Sequence, residues 1–165
     1  TLPAPPDCET FPVIFGIDAE IAGKPVRIIN GHPSAASAPC RAADVKNMFM
    51  GGDGILQLAD PKLRVIAMGD MNLDPFGTAE DESIKHFRGN VGEGKPYYYL
   101  SGPAENKPPH PTNTGRTIDH VFTNFAKGKC TTLGRSAEHP RLDGTVGDVD
   151  PAGTDHSPIL CELEF

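Results

Sequence analysis

The sequence predicts a layered α/β sandwich, and three of its features support this prediction. Short apolar segments suited to strands are interrupted by a few segments suited to helices. Gly (18 residues) and Pro (17 residues) are abundant in the 165-residue chain, which favours short strands and long loops. Polar and ionisable residues stand at the ends of the strand segments. Because no repeat or linker divides the chain, we expect a single domain.

The first half of the chain predicts a hairpin, a helix and a central strand. Residues 11–34 are apolar on both sides of a turn near Ala22-Gly23-Lys24-Pro25, as in a hairpin. Residues 34–49 predict a helix that is capped by Ser37. The almost wholly apolar segment 63–69 predicts a strand in the middle of a sheet that is covered on both faces.

The second half predicts one further helix and three strands. Thr78 is expected to open a short helix, with acidic residues in a first turn where the helix dipole favours them. Residues 126–157 are expected to be mostly loop. The predicted strand segments are 96–100, 117–125 and 156–165.

The net charge of −7 argues against a protein that holds nucleic acid through a general basic field. It does not exclude an enzyme that meets phosphates through a metal ion, because such a site needs carboxylates. No apolar run approaches the roughly 20 residues of a membrane-spanning helix, so no membrane span is expected.

The four cysteines show no C-x-x-C spacing, which disfavours a zinc site. An even number of scattered cysteines in a loop-rich chain indicates two disulfides and an oxidising compartment. Four buried free thiols in a cytosolic protein are the alternative. Three pairings are possible for two disulfides.

Candidate functional groups gather at four strand ends. Any one of them has an ordinary explanation, because Asp and Asn side chains after a strand commonly bond to the backbone of a turn. Their repetition at four strand ends indicates a functional rim instead. The groups are Asn30 with His32, Asp70 with Asn72, Asp119, and Asp155 with His156.

The segments NGHPSA, GDMN, TID and TDHSP occur in this order and resemble the motifs of the endonuclease/exonuclease/phosphatase superfamily. The resemblance runs from about Val26 to the C-terminus and favours the deoxyribonuclease I-like branch. It implies the C-terminal part of a four-layered α/β sandwich, in which two mostly antiparallel sheets are flanked by helices. It also implies a metal-dependent hydrolase in which water attacks a phosphoester in line.

The resemblance assigns catalytic roles residue by residue. His156 would take a proton from the attacking water, and Asp119 would hold the imidazole in the required tautomer. His32 would stand across the phosphate as a general acid or as a donor to the transition state.

The resemblance also assigns ligands for a metal ion and for the phosphate. Asp155 and Asp70 would bind the metal, and Asp70 and Asn72 would position the water and the phosphate oxygens. Oxygen ligands of this kind suit Mg²⁺, with Mn²⁺ or Ca²⁺ as alternatives. The candidate phosphate contacts are Asn30, Asn72, Arg116 and Arg41. A bond to loop backbone is the alternative for Asn30, and a solvated position on the helix is the alternative for Arg41.

The family's first strands and its metal-binding glutamate have no counterpart upstream of His32. We therefore expect residues 1–165 to be the C-terminal portion of the domain. Its N-terminal half would be a second chain or a missing segment. A sandwich without that half would leave an exposed edge and an apolar face.

The leading functional hypothesis is a nonspecific nuclease, secreted to the extracellular space or the periplasm, with nucleic acid as its substrate. One alternative is a sphingomyelinase-like or other phosphodiesterase or phosphatase. A further alternative is an inactive binding module with the same fold. The preferred disulfide pairs are Cys8–Cys40 and Cys130–Cys161, because each joins neighbouring segments.

Overall fold

A computed structural model of the chain describes residues 7–8, 14–50, 63–103, 111–113, 115–125, 127–134 and 155–165. Within these ranges it contains seven strands and two helices. In chain order they are β1 (Ile14–Ile21), β2 (Lys24–Gly31), α1 (Ala38–Met50), β3 (Arg64–Asp70), α2 (Glu82–Asn90), β4 (Tyr98–Tyr99), β5 (Asp119–Thr123), β6 (Lys127–Thr132) and β7 (Ile159–Glu164).

The strands form a five-stranded sheet in the order β1-β2-β3-β5-β4 and a two-stranded sheet of β6 and β7. Strands β2 and β3 are parallel, and all other described pairs are antiparallel. The predicted α/β sandwich with mostly antiparallel sheets is thereby confirmed. Strand β3 occupies the centre of the large sheet, as its apolar sequence predicts.

The large sheet is covered on one face by the two helices, and we call this side the helix face. Val65 and Ala67 of β3 point into this core. A group of aromatic rings fills the space between helices and sheet, with centroids 5.5 to 5.7 Å apart. These rings belong to Phe49, Phe87, Tyr97 and Phe122.

The opposite face of the large sheet packs against β6 and β7, and we call this side the hairpin face. Ile66 of β3 and Val121 of β5 contact the smaller sheet there, through residues that include Ile159 and Leu163. Strand β3 is therefore covered on both faces, as predicted. The outer end of this face is open, because Phe15 and Ile17 of β1 are 50% and 57% exposed.

Two local predictions are confirmed in the first half of the chain. Ala22 and Gly23 form the hairpin turn with positive φ values of 51° and 73°, the conformation that a tight two-residue turn requires. The Ser37 hydroxyl accepts the N–H of Cys40 (3.3 Å) and so caps α1.

One other prediction is wrong, and one strand was not predicted. Helix α2 begins at Glu82 rather than near Thr78, because Asp81 is its N-cap and accepts the N–H of Ile84 (3.0 Å). Residues 127–132 form β6 instead of loop. Strand β6 lacks an apolar alternation, and it forms because it pairs with the C-terminal strand β7. Of the rest of that predicted loop, residue 126 and residues 135–154 lie outside the described residues.

Two disulfides join Cys8 to Cys40 and Cys130 to Cys161, which are the preferred pairs. The first attaches the entry segment to α1, and the second crosses between β6 and β7. In the part of the chain that the structure describes, no helix is both long enough and apolar enough to cross a membrane.

Candidate active site

Three strands of the large sheet bring their polar termini to one edge. Asp70, the last residue of β3, pairs with Asp119, the first residue of the antiparallel strand β5. The parallel strand β2 ends beside them, and its approach is so close that a side chain at Gly69 would overlap the carbonyl oxygen of Gly31. Gly69 also has a φ of +138°, which favours glycine. The sheet topology therefore places two carboxylates next to the loop that begins at His32.

His156 lies against this pair of carboxylates. Its Nδ1 is 2.9 Å from Oδ2 of Asp119, so the Nδ1–H donates and Nε2 is left facing the site. Nε2 is 3.7 Å from Oδ2 of Asp70 and 3.8 Å from Oδ1 of Asp155. Burial by itself would lower the pKa of His156, but the hydrogen bond to Asp119 and the surrounding negative charges raise it above its ordinary value. The imidazole is thus oriented and prepared to accept a proton at Nε2.

Asp70 stands between the two histidines of the site. Its Oδ1 accepts the N–H of Asn72 (2.8 Å), and its Oδ2 lies 3.7 Å from Nε2 of His32 and equally far from Nε2 of His156. Burial raises the pKa of Asp70, and the neighbouring charge of Asp119 raises it further, against the opposing hydrogen bond from Asn72. A cation or a proton donor near Asp70 would relieve both unfavourable effects.

Asn72 connects the loop after β3 to the loop that carries His32. It adopts a positive φ of 51°, which asparagine tolerates, and its Nδ2 donates to the carbonyl oxygen of Pro33 (3.0 Å). This bond fixes the loop immediately after His32, whose side chain is 61% exposed. The role predicted for Asn72, which is to position the water and the phosphate oxygens, stays a prediction.

Arg41 and Arg116 differ in their surroundings. The guanidinium of Arg41 donates to Asp81 (2.9 Å) and to the carbonyl oxygen of Ser34 (3.1 Å), so it joins α1 to the cap of α2 and to the loop after His32. Arg116 is exposed, and its Nη2 donates to Oδ1 of Asn113 (3.3 Å). Contact of either arginine with phosphate stays a prediction.

Asn30 lies one residue before the end of β2, where it pairs with Met68 of β3, two residues before Asp70. This puts it at the edge of the sheet that carries the site. Its contact with phosphate also stays a prediction.

Sequence reasoning missed Thr112 and Asn113, which are buried next to the site. Asn113 donates from Nδ2 to Oδ2 of Asp155 (3.0 Å), and the Thr112 carbonyl oxygen accepts the N–H of Ser157 (2.7 Å). The Asn-Thr-Gly segment indicates a turn, which agrees with the φ of 74° at Gly115, but a turn alone does not select these two residues as part of the site.

Comparison with known proteins gives matches only among solved structures: no family model and no curated protein matches the sequence. Truncated TDP2 of Caenorhabditis elegans is 18% identical with a TM-score of 0.64, over 98% of this chain and 63% of that one. An endonuclease/exonuclease/phosphatase family protein from Leptotrichia buccalis is 17% identical with a TM-score of 0.60, over 92% and 53%. The human Nocturnin catalytic domain with bound sulfate is 17% identical with a TM-score of 0.56, over 92% of this chain and 52% of that one.

The chain has the fold of the endonuclease/exonuclease/phosphatase proteins. It spans between 52% and 63% of the length of these three structures. This partial coverage fits the prediction of a C-terminal portion. At these identities the likeness concerns the fold, so the activity is argued from the site itself.

The donors at this sheet edge fit a divalent cation. Oxygen and nitrogen atoms of Asp70, Asp119 and His156 lie within 4.8 Å of one another. Asp155 lies outside this group, and its Oδ1 is 3.8 Å from Nε2 of His156. Because Asp119 is hydrogen-bonded to His156, Asp70 and Asp155 stay the predicted ligands of the cation. Hard oxygen donors of this kind match the preference of Mg²⁺, Mn²⁺ or Ca²⁺.

Proposed function

We propose that this protein is a metal-dependent phosphoester hydrolase that acts as a nuclease on the phosphodiesters of nucleic acid. The observation that carries the proposal is the His156 imidazole, which is fixed through Nδ1 by Asp119 and faces Asp70 and Asp155 through Nε2. A binding module needs no imidazole held in one tautomer. Hydrolysis needs one, because the base must receive a proton at a defined atom.

In the proposed mechanism His156 accepts a proton at Nε2 from the water that attacks phosphorus. Asp119 stabilises the imidazolium that forms, which agrees with the raised pKa of His156. His32, 3.7 Å from Oδ2 of Asp70, donates to the phosphate or to the leaving oxygen. When bound by Asp70 and Asp155, a divalent cation would neutralise negative charge on the phosphate.

Nucleic acid is the proposed substrate class on two grounds. A zebrafish TDP2 structure that is 13% identical, with a TM-score of 0.55, is complexed with a single-stranded DNA product. The lipid alternative would require an exposed aromatic hairpin, and of the three adjacent tyrosines that could supply one Tyr97 is fully buried, Tyr99 is half-buried and only Tyr98 is exposed. The acidic chain would meet the phosphates locally, at the site, rather than through a general basic field.

Cleavage of supercoiled plasmid DNA tests this function. We expect cleavage with Mg²⁺, none after EDTA, and a rate lowered by at least 10²-fold in His156→Ala, since positioned general bases contribute about 10² to 10⁴. His86→Ala is the matched control, because His86 lies on α2 outside the site. Hydrolysis of a lipid phosphodiester without DNA cleavage would favour the alternative enzyme, and no hydrolysis of either would favour the binding module.

We further propose that the N-terminal half of the same domain, as a second chain or a preceding segment, covers the open end of the hairpin face. Phe15 and Ile17 lie there on the same side of β1 as Ile21, which packs against the buried cluster of this face. The protein isolated from its source, examined by intact mass under denaturing conditions, tests this proposal. A single 17.6 kDa species with full activity would contradict it.

The proposed location is extracellular or periplasmic, because both disulfides require an oxidising compartment to persist. Thiol titration of the native protein without reductant tests this proposal. We expect no reactive thiol after denaturation, whereas four thiols would indicate a reducing compartment.

A further inference from the structure

Two polar side chains that have no assigned role are buried beside the candidate active site. Thr112 is 1% exposed and Asn113 is 4% exposed, although the loop around them is polar. Burying such groups is unfavourable unless hydrogen bonds replace those made with water. The partners of these two residues therefore indicate what the buried arrangement is for.

Thr112 connects two segments that are far apart in sequence. Its hydroxyl oxygen accepts the N–H of Ile118 (3.1 Å) and the N–H of Asp119 (3.0 Å), at the start of β5. Its carbonyl oxygen accepts the N–H of Ser157 (2.7 Å), the residue directly after His156. One residue thus fixes the backbone on both sides of the hydrogen bond between Asp119 and His156.

Asn113 holds the other neighbour of His156. Its Nδ2 donates to Oδ2 of Asp155 (3.0 Å), while its Oδ1 accepts from Nη2 of Arg116 (3.3 Å). A cation on one side and a carboxylate on the other allow only one orientation of the amide. The side chain of Asp155 is 68% exposed, so without this bond it would be free to rotate in solvent.

The bond from Asn113 leaves one oxygen of Asp155 directed to the site. Oδ2 is engaged by the amide, and Oδ1 is the atom that lies 3.8 Å from Nε2 of His156. A carboxylate held in this way loses less conformational entropy when it binds a cation. Partners that orient metal ligands commonly raise metal affinity for this reason.

We propose that Thr112 and Asn113 are positioning residues of the active site. Thr112 sets the hydrogen bond between Asp119 and His156, and Asn113 orients the carboxylate of Asp155 for a divalent cation. The assignment deepens the proposed function and rests on it for the role of the metal. The structural part, which is the geometry of His156, stands independently of catalysis.

The Nδ1–H proton of His156 tests the role of Thr112. In an NMR spectrum this proton is visible downfield while its hydrogen bond to Asp119 slows exchange with water. We expect Thr112→Val to lose the signal and Thr112→Ser, which keeps the hydroxyl, to retain it. Thr112→Ala replaces the valine variant if that variant does not fold.

Thr123→Val is the matched control for the threonine variants. Thr123 is also fully buried and donates its hydroxyl to the carbonyl oxygen of Val65 (2.7 Å), away from the site. It removes a buried hydroxyl bond without touching the segment around His156, so the signal should persist. An unchanged His156 signal in the folded Thr112 variants that lack the hydroxyl would overturn the role of Thr112.

Mn²⁺ affinity, measured by titration of the protein with Mn²⁺ alone, tests the role of Asn113. We expect Asn113→Ala to weaken Mn²⁺ binding about 10- to 100-fold. Asn124→Ala is the matched control, because Asn124 bonds to the backbone of Val65 (2.8 Å) and Leu63 (2.9 Å). The Mn²⁺ affinity of the Asn124→Ala variant should equal that of the unmodified protein.

The outcomes separate this inference from the proposed function. Equal Mn²⁺ affinity in Asn113→Ala and the unmodified protein, or no Mn²⁺ binding by either, would overturn the role of Asn113. Loss of the His156 signal and of Mn²⁺ affinity in the respective variants, together with no hydrolysis by the unmodified protein, would refute the nuclease and leave the positioning residues supported.

Discussion

The helix face and the hairpin face of the large sheet differ in how completely the described residues cover them. On the helix face, Phe87, Tyr97 and Phe122 are between 0% and 1% exposed beneath two helices. On the hairpin face, strands β6 and β7 cover the inner strands, whereas Phe15 and Ile17 of β1 stay exposed. Among the described residues, the core of the helix face is fully buried, whereas the hairpin face stays exposed at β1.

The difference between the two faces indicates which residues of the site are held by packing and which by hydrogen bonds. Asp70 belongs to β3, which is packed on both faces, so its position does not depend on further residues. Asp155 and His156 precede β7 on the less covered side, and hydrogen bonds to the loop at Thr112 and Asn113 hold them. Asp155 and His156 are therefore the part of the site that relies most on hydrogen bonds from a loop.

The largest contrast in stability is expected between Phe122→Ala and Ile17→Ser. Phe122 contacts three aromatic rings in the closed core, so its removal should lower the free energy of unfolding by about 3–5 kcal/mol. Ile17→Ser removes an exposed side chain and should change it by less than about 0.5 kcal/mol. Urea denaturation of both variants measures the difference, and equal losses would contradict the distinction between the faces.

Removing the disulfides one at a time sharpens the same comparison. The two bridges close nearly equal loops, of 32 and 31 residues separation, so chain entropy predicts a loss of about 4 kcal/mol for either one. Cys8–Cys40 lies on the helix face and Cys130–Cys161 on the hairpin face. Serine pairs at each bridge, compared by urea denaturation, should therefore give similar losses. A much smaller loss for Cys130–Cys161 would mean that β6 and β7 are held mainly by packing.

A smaller effect is expected from pH, through His120 in the helix-face core. Burial lowers the pKa of His120 to about 4. Its Nε2 is hydrogen-bonded to the carbonyl oxygen of Leu73 (3.0 Å), and its Nδ1 is hydrogen-bonded to the Tyr99 hydroxyl. The imidazole of His120 binds a proton more readily in the unfolded chain than in the folded protein. The contribution of neutral His120 to the free energy of unfolding is therefore present above about pH 6.5 and is lost as the pH falls toward 4. The loss between pH 7 and pH 4.5 should be about 2 kcal/mol.

Urea denaturation at these two pH values checks the prediction. His120→Asn should reduce the pH dependence by about this amount, whereas His86→Gln should keep it. An unchanged dependence in His120→Asn would show that other groups are responsible.

The sequence predicted the strands whose apolar residues are continuous or alternate, and it failed where tertiary pairing decides. Strand β3 is apolar because both of its faces are buried, so its central position could be predicted. Strand β6, with the sequence Lys-Gly-Lys-Cys-Thr-Thr, carries no such pattern and exists through its pairing with β7. The start of α2 was misplaced because several acidic residues compete for the cap, and contacts with Ser83 and Arg41 select Asp81.

The site was predictable to the extent that its groups follow recognisable strands. Asp70, Asp119 and His156 were predicted to act together, and the structure places a side-chain oxygen or nitrogen of each within 4.8 Å of the others. Their catalytic roles remain proposals. Thr112 and Asn113 could not be selected from the sequence, because their importance lies in which distant backbone and carboxylate groups they bond. Such partners depend on loop conformation, which composition does not determine.

Chemical rescue of His156→Ala tests the central claim most directly. Imidazole added to this variant can replace the missing base, so Mg²⁺-dependent DNA cleavage should rise with imidazole concentration. The same imidazole should not restore Asp70→Asn, which retains its histidines and loses a carboxylate. A His156→Ala variant that cleaves DNA at the unmodified rate, with no response to imidazole, would contradict the assignment of His156 as the base.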